Sequence, residues 1–272
     1  MAVVYAEFFS HSLMRSVPFC AVIPAENPAP TAEGVKAEKN TQTDFKTLYL
    51  LHGLYGSNTD WLTKSDIRRL SSEKNLAVIM PAAENHFYMD GSLPGEQYGR
   101  FIGEELPEIA CNMFCLSKRK EDTFIAGLSM GGAGAIRTAC LYPHRFSAAA
   151  GLSSAFLNRS HISESHPVFT PQWADRIFGG IENMEQEYKN AVKKLIASVH
   201  KNNRPTFYLS CGTEDFLLEA NRDFHRFCTD RNIEHVYEEK SGGHDWQFWN
   251  GEIKKVIDRF IAEKTPAHNG AV

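Results

Sequence analysis

The chain of 272 residues has no C-x-x-C pair, no basic excess and no long apolar run. Each absence removes a class of function. The six cysteines, Cys20, Cys111, Cys115, Cys140, Cys211 and Cys228, are scattered. Cys111 and Cys115 lie four apart on an expected helix, a poor spacing for a disulfide framework or a zinc site. Free thiols in a reducing compartment are therefore expected, which points to the cytoplasm. A formal net charge of −4 supplies no field that would draw in nucleic acid. Glu7, Ser10, His11, Ser12 and Arg15 interrupt the first twenty residues, so no apolar leader core is expected there. No apolar run approaches the length of a membrane span, so no membrane partner is expected either.

What is present is an ordinary globular composition, 43% hydrophobic and 23% charged, of a length suited to a large α/β domain. Val3 to Phe9 and Val17 to Ile23 read as two paired strands with a turn at His11 to Arg15. Pro24 to Asp44 reads as a solvated loop. Thr47 to Leu51 and Leu76 to Met80 are continuous apolar strands of the kind covered on both faces, and Asp66 to Glu73 between them reads as a helix. Phe101 to Pro107 is expected to lead into a helix through about Cys115, and further strands are expected at Ala148 to Leu152, Thr206 to Ser210 and His235 to Glu239. Helices are expected near Met184 to His200, at Phe216 to Asp230 and at Trp246 to Ile261. Strands alternating with helices imply a mainly parallel sheet with helices on both faces, fronted by antiparallel N-terminal strands. The expectation is one domain over residues 1–263, with a small cap or none within 155–183, and a flexible tail at 264–272.

Within that frame one stretch stands out. Gly127-Leu128-Ser129-Met130-Gly131 follows a short β-favouring run, Asp122 to Ala126, and precedes small residues that open a helix ended by Pro143. G-x-S-x-G at a strand-to-helix turn is a nucleophile elbow: the glycines allow a sharp bend that leaves the serine hydroxyl exposed at the sheet edge. In a parallel sheet the functional loops gather at the carboxyl ends of the strands. After Thr206 to Ser210 comes Cys211-Gly212-Thr213-Glu214-Asp215, and after His235 to Glu239 comes Ser241-Gly242-Gly243-His244-Asp245. Serine, acid and histidine thus follow in the order this architecture uses. Of the histidines beyond Asp215, His225 falls in a helix, His235 in a strand and His268 in the tail, which leaves His244. Glu214 and Asp245 compete with Asp215 for the acid. A short side chain at the loop end favours Asp215, but periodicity does not separate neighbours. Acyl transfer from a serine also needs two N–H donors aimed at the developing oxyanion. Met130 supplies one at the helix start. Leu54, in His52-Gly53-Leu54-Tyr55-Gly56, is the candidate for the other, unless that loop is merely a tight turn.

These stretches resemble the esterase D and tributyrin-esterase branch of the α/β hydrolases, which includes S-formylglutathione hydrolases, acetyl and feruloyl esterases and the more distant mycolyltransferases. The resemblance rests on Leu50-Leu51-His52-Gly53-Leu54, Phe101-Ile102-Gly103-Glu104-Glu105-Leu106, the elbow with Gly132, Cys211 to Asp215, and Gly243-His244-Asp245-Trp246. It implies the α/β-hydrolase fold, Ser129 as nucleophile, Asp215 as acid, His244 as base, and Leu54 and Met130 as oxyanion donors. It implies a small-molecule ester substrate and no metal or organic cofactor. S-formylglutathione hydrolases commonly carry a histidine where Ala133 stands, so the resemblance leans to the tributyrin-esterase side.

The segment Ser153 to Pro205 is polar, with Asn158, Arg159, Ser160, His161, Ser163 and Glu164, unlike the apolar lid of an interfacial lipase. Short acyl groups, acetyl to butyryl, are therefore expected. Phe169, Trp173 and Phe178 are candidates for a cap over the acyl pocket and Trp246 for its lining beside His244, against the alternative that all four are core aromatics. The rival readings are a thioesterase acting on S-formylglutathione, a feruloyl or acetyl-sugar esterase, an acyltransferase, and a non-catalytic binding protein on a hydrolase scaffold. A homo-oligomer is left open.

Overall fold

Five strands of this protein are buried along nearly their whole length, β7 (Thr206–Gly212) and the four that stand together at the centre of the sheet: β3 (Lys46–Leu51), β4 (Leu76–Pro81), β5 (Thr123–Leu128) and β6 (Ala148–Leu152). A computed structural model of the chain describes residues 1–25, 44–91, 93–157, 159–166, 169–184, 186 and 203–262. Most of the expected loop Pro24 to Asp44, most of the expected helix Met184 to His200 and the tail fall outside these residues. The remaining strands are β1 (Ala2–Ser10), β2 (Arg15–Ile23) and β8 (His235–Lys240). The eight form one sheet in the order β1-β2-β4-β3-β5-β6-β7-β8. β1 pairs antiparallel with β2, and β2 with β4, while every pairing from β4 to β8 is parallel. This is the α/β-hydrolase fold. β8, at the edge, is only partly buried and carries Glu238, Glu239 and Lys240, charges that discourage further pairing.

Alternate residues of each strand serve opposite faces. Tyr49, Leu51 and Ile125 join a core with α3 (Leu106–Met113) and α4 (Met130–Leu141), whereas Leu48, Leu50, Phe124 and Ala126 face Trp61, Leu70 and α7 (Trp246–Ala262). The other helices are α1 (Asp60–Lys64), α2 (Ile67–Lys74), α5 (Pro171–Phe178) and α6 (Leu218–Thr229). None of the helices in the described residues is long and apolar enough to cross a membrane.

The segment expected to lead into a helix does so as a π-helical turn, Phe101–Glu105, and α3 ends at Met113, within two residues of the expected Cys115. Pro107 has no N–H to give the Gly103 carbonyl, so the regular ladder breaks there and a wider turn replaces it. The turn delivers Glu105 to the β1–β2 connection, where it accepts the Ser10 hydroxyl (2.6 Å) and the His11 N–H (2.6 Å). The motif Phe101 to Leu106 thus ties the N-terminal hairpin to the domain.

Candidate active site

Ser129 occupies the single position between β5 and α4, and its backbone is strained there, at φ 53° and ψ −118°. A side-chain-bearing residue in such a region costs about 1–3 kcal/mol and persists only where its surroundings hold it. They do so here. The Ser129 N–H donates to Leu152 O (2.8 Å), and its carbonyl accepts the N–H groups of Ala133 (3.1 Å) and Ala155 (3.0 Å). The sharp bend also presses the helix onto the neighbouring strand end. A Cβ on Gly131 would stand 2.5 Å from His52 O, a contact only glycine avoids.

The acid and the histidine come from the ends of β7 and β8, beyond the intervening β6. A Cβ on Gly212 would lie 1.9 Å from Gly242 O, so glycine at the end of β7 lets the two loops touch. Thr213 N–H donates to Lys240 O (2.9 Å) and Glu214 N–H to Gly242 O (3.1 Å). The Glu214 carboxylate in turn accepts the Gly242 N–H of the facing loop and the Thr213 hydroxyl of its own, so it clasps the two loop backbones and does not meet the His244 ring. Asp245 accepts the Phe248 N–H (2.9 Å) at the start of α7. Asp215 alone turns inward. His244 Nδ1 lies 2.9 Å from Asp215 Oδ2 and 3.1 Å from Oδ1, and His244 Nε2 lies 3.0 Å from Ser129 Oγ.

The carboxylate accepts at Nδ1, so that nitrogen carries the proton and Nε2 is free to accept from the serine hydroxyl. Asp215 has no exposed side-chain surface. Burial by itself would raise its pKa; the hydrogen bond and charge of His244, the Leu217 N–H at 2.8 Å and the Ser153 hydroxyl outweigh that and hold it below the usual carboxylate value. The imidazole is walled by Phe216 (ring centroids 4.6 Å apart) and, edge-on, by Trp249 (4.9 Å). Trp249 is itself anchored by its indole N–H on Ser153 Oγ at 3.1 Å.

Ser129, His244, Leu54 and Met130 line one cleft of about 530 Å³. Met130 N–H belongs to the first turn of α4, where helix amides lack intrahelical acceptors and the helix dipole favours negative charge. Leu54 lies in a turn closed by Gly56 N–H on Gly53 O (3.1 Å). Such an arrangement can move a proton from Ser129 to His244 and collect charge on an oxygen beside two amides.

Of the four aromatic pocket candidates, Trp246 and Phe169 line the cleft. Trp173 and Phe178 stand one layer behind it, packed on Phe87 at ring distances of 5.3 and 5.6 Å. Among the rings that reach the cleft in their place are Phe87 and Phe216, with Tyr55 and Trp249. Phe87 is brought there by a left-handed backbone (φ 54°), for which the sequence carries no signal. Phe216 had one, since it directly follows the acid. Lys64 also lines the cleft, paired with Asp60 at 3.3 Å and set over the Trp246 ring.

The sequence model of the family described as "Putative esterase" matches residues 37–260. The chain is 35% identical over 267 residues to an acetyl esterase of Caldicellulosiruptor saccharolyticus, covering 95% of this chain and 97% of that one. Its fold is similar to that of substrate-bound fluorophosphonate-binding serine hydrolase F of Staphylococcus aureus, with a TM-score of 0.80 and 26% identity, covering 96% of this chain and 98% of that one. It is also similar to S-formylglutathione hydrolase of Staphylococcus aureus, with a TM-score of 0.77 and 27% identity over 96% of this chain and 100% of that one.

Proposed function

The chain belongs to the esterase family and is a serine carboxylic-ester hydrolase, and from that premise we propose that it cleaves short acyl esters, acetyl to butyryl, through an acyl-enzyme on Ser129. The observation that carries this reading is the unbroken chain from Asp215 through His244 to Ser129 Oγ, opening on the cleft.

In this mechanism Ser129 Oγ attacks the ester carbonyl while His244 Nε2 takes the hydroxyl proton. Asp215 holds the ring and stabilises the imidazolium. The negative charge that develops on the carbonyl oxygen is received by the N–H groups of Leu54 and Met130. As the tetrahedral intermediate collapses, the C–O bond to the alcohol breaks and His244 returns its proton to the departing oxygen. A water then loses a proton to His244 and attacks the acyl-enzyme, the Ser129 ester bond breaks, and the acid leaves. No step calls for a metal or organic cofactor.

Support for short acyl groups comes from the aromatic wall. Phe87 is backed by Trp173 and Phe178, and Phe169 packs on Trp173 with ring centroids 5.0 Å apart. Moving one of these rings disturbs the others. We read residues 1–263 as one domain, with a small cap within residues 155–183. The acetyl esterase relative favours an acetyl ester among short acyl groups. The likeness to an S-formylglutathione hydrolase keeps a thioester as the second reading, against which Ala133 weighs. The cysteines of the described residues, all free, support a cytoplasmic location.

A series of nitrophenyl esters from acetyl to dodecanoyl tests the acyl preference, with acetylated sugars, feruloyl esters and S-formylglutathione in parallel. kcat/KM is expected to peak at two to four carbons and to fall about tenfold or more per methylene that the wall rejects, corresponding to roughly 1–3 kcal/mol each. Faster turnover of long-chain than of butyryl esters, or activation at an oil–water interface, would indicate a lipase instead.

A further inference from the structure

His52 is almost fully buried, 1% exposed, and both of its ring nitrogens are engaged. Ala83 N–H points at Nε2 from 3.0 Å, while Nδ1 lies 2.7 Å from Gly53 O. A backbone N–H can only donate, so Nε2 accepts and carries no proton. The ring is therefore the Nδ1–H tautomer, donating to the Gly53 carbonyl. Burial lowers the pKa of His52, against the opposing pull of Gly53 O and Asp60, and so favours the neutral ring this arrangement needs.

The carbonyl that His52 grips belongs to the same peptide unit as the Leu54 N–H. That unit is trans, and in a planar trans peptide the C=O and N–H point in opposite directions. Fixing one end fixes the other. Gly56 N–H also donates to Gly53 O, at 3.1 Å, and among the described residues the Leu54 N–H makes no hydrogen bond of its own. The next peptide is held by Tyr55 N–H on Asn85 Oδ1 (2.8 Å), and the preceding one by the Tyr88 hydroxyl on His52 O (2.9 Å). Three consecutive peptide units, those following His52, Gly53 and Leu54, are thus held from outside the loop or by His52. The outside contacts all come from the segment 83–88, which takes left-handed backbone conformations at Glu84, Phe87 and Tyr88.

We infer that neutral His52 is a positioning residue, a rotational lock on the Gly53–Leu54 peptide that aims the Leu54 N–H at the oxyanion. The segment 83–88 serves as the frame against which the lock is set. The inference rests on the esterase reading of the site. It identifies the part of His52 that matters for rate as the Nδ1–H donor, and the Nε2 acceptor as what selects that tautomer.

Two substitutions divide the ring's functions. In His52→Asn the side-chain amide NH₂ stands where Nδ1 does and can still donate to Gly53 O. In His52→Gln the terminal amide stands near Nε2, so an acceptor for Ala83 remains and the donor to Gly53 is lost. His52→Gln is expected to lower kcat by on the order of 10- to 100-fold, below the loss from deleting an oxyanion donor outright because Gly56 still holds the carbonyl. Its KM should stay within about threefold. His52→Asn should retain kcat to within about threefold. Equal losses in the two variants, the reverse order, or a change confined to KM would overturn the inference. The ring-nitrogen chemical shifts of His52 in the wild-type protein decide the matter even if the variants do not fold. A protonated Nδ1 with a pyridine-like Nε2 is expected, and the opposite tautomer overturns the lock. A wild-type protein that hydrolyses no ester contradicts the esterase reading, and the ring-nitrogen shifts still test the lock separately.

Discussion

Ser129→Ala is expected to reduce ester turnover by on the order of 10⁵- to 10⁶-fold while leaving the melting temperature within a few degrees of wild type. The loss is large because members of a triad act as a unit: without the nucleophile, His244 and Asp215 have nothing to activate, and only binding and the oxyanion donors remain. The fold should survive because the backbone at position 129 is held by its own N–H and carbonyl, not by the side chain. Ser129 N–H on Leu152 and the Ser129 carbonyl under Ala133 and Ala155 are unchanged in alanine. Circular dichroism and a thermal melt check the fold, and a rate measured on protein free of wild-type contamination checks the chemistry. A variant that keeps more than about one per cent of wild-type turnover contradicts the role given to Ser129.

Asp215→Asn is expected to cost about 10⁴ in kcat, and Glu214→Gln less than tenfold. An amide NH₂ in place of the carboxylate oxygen favours the wrong tautomer of His244, and in a related triad that change alone produced a loss of about this size. Glu214 accepts from Thr213 on its own loop and from Gly242 on the facing one, and a glutamine oxygen can go on accepting. A larger loss in Glu214→Gln would reverse the assignment of the acid. The same carboxylate makes a stability prediction. Its pKa is lowered in the folded protein, so its contribution is present above the unfolded-state pKa and is lost as the pH falls through the folded value. Asp215→Asn should therefore reduce the difference in melting temperature between neutral pH and about pH 3, as read by calorimetry at both.

The parts of this molecule that a linear reading reaches are those fixed by local chemistry. Strands buried on both faces announce themselves as continuous apolar runs, and β3, β4, β5 and β6 lie within a residue or two of where such runs occur. The elbow is legible because a serine between glycines at a strand-to-helix junction has few other uses. The π-helical turn at Phe101–Glu105 is less legible, since its cause, a proline early in a helix, is also compatible with a plain helix start. The choice among Glu214, Asp215 and Asp245 is not decided by residue type. Gly212 and Gly242 set it, by letting two loops touch so that one carboxylate faces inward and its neighbours face elsewhere. Pocket rings fail for the same reason. Trp173, Phe178 and Phe87 are all large and apolar, and the left-handed turn at Phe87 decides which of them meets the cleft, whereas Phe216 is marked by its place beside the acid. His52 is legible as part of a loop motif, but its tautomer depends on Ala83, 31 residues away.

The most direct test of the central claim is to treat the native enzyme with a fluorophosphonate and identify the modified peptide by mass spectrometry. The account predicts one adduct per chain, on Ser129, appearing at the rate at which ester hydrolysis is lost, and no adduct in Ser129→Ala. Labelling of a different serine, or full ester hydrolysis by protein whose Ser129 is quantitatively modified, would contradict it.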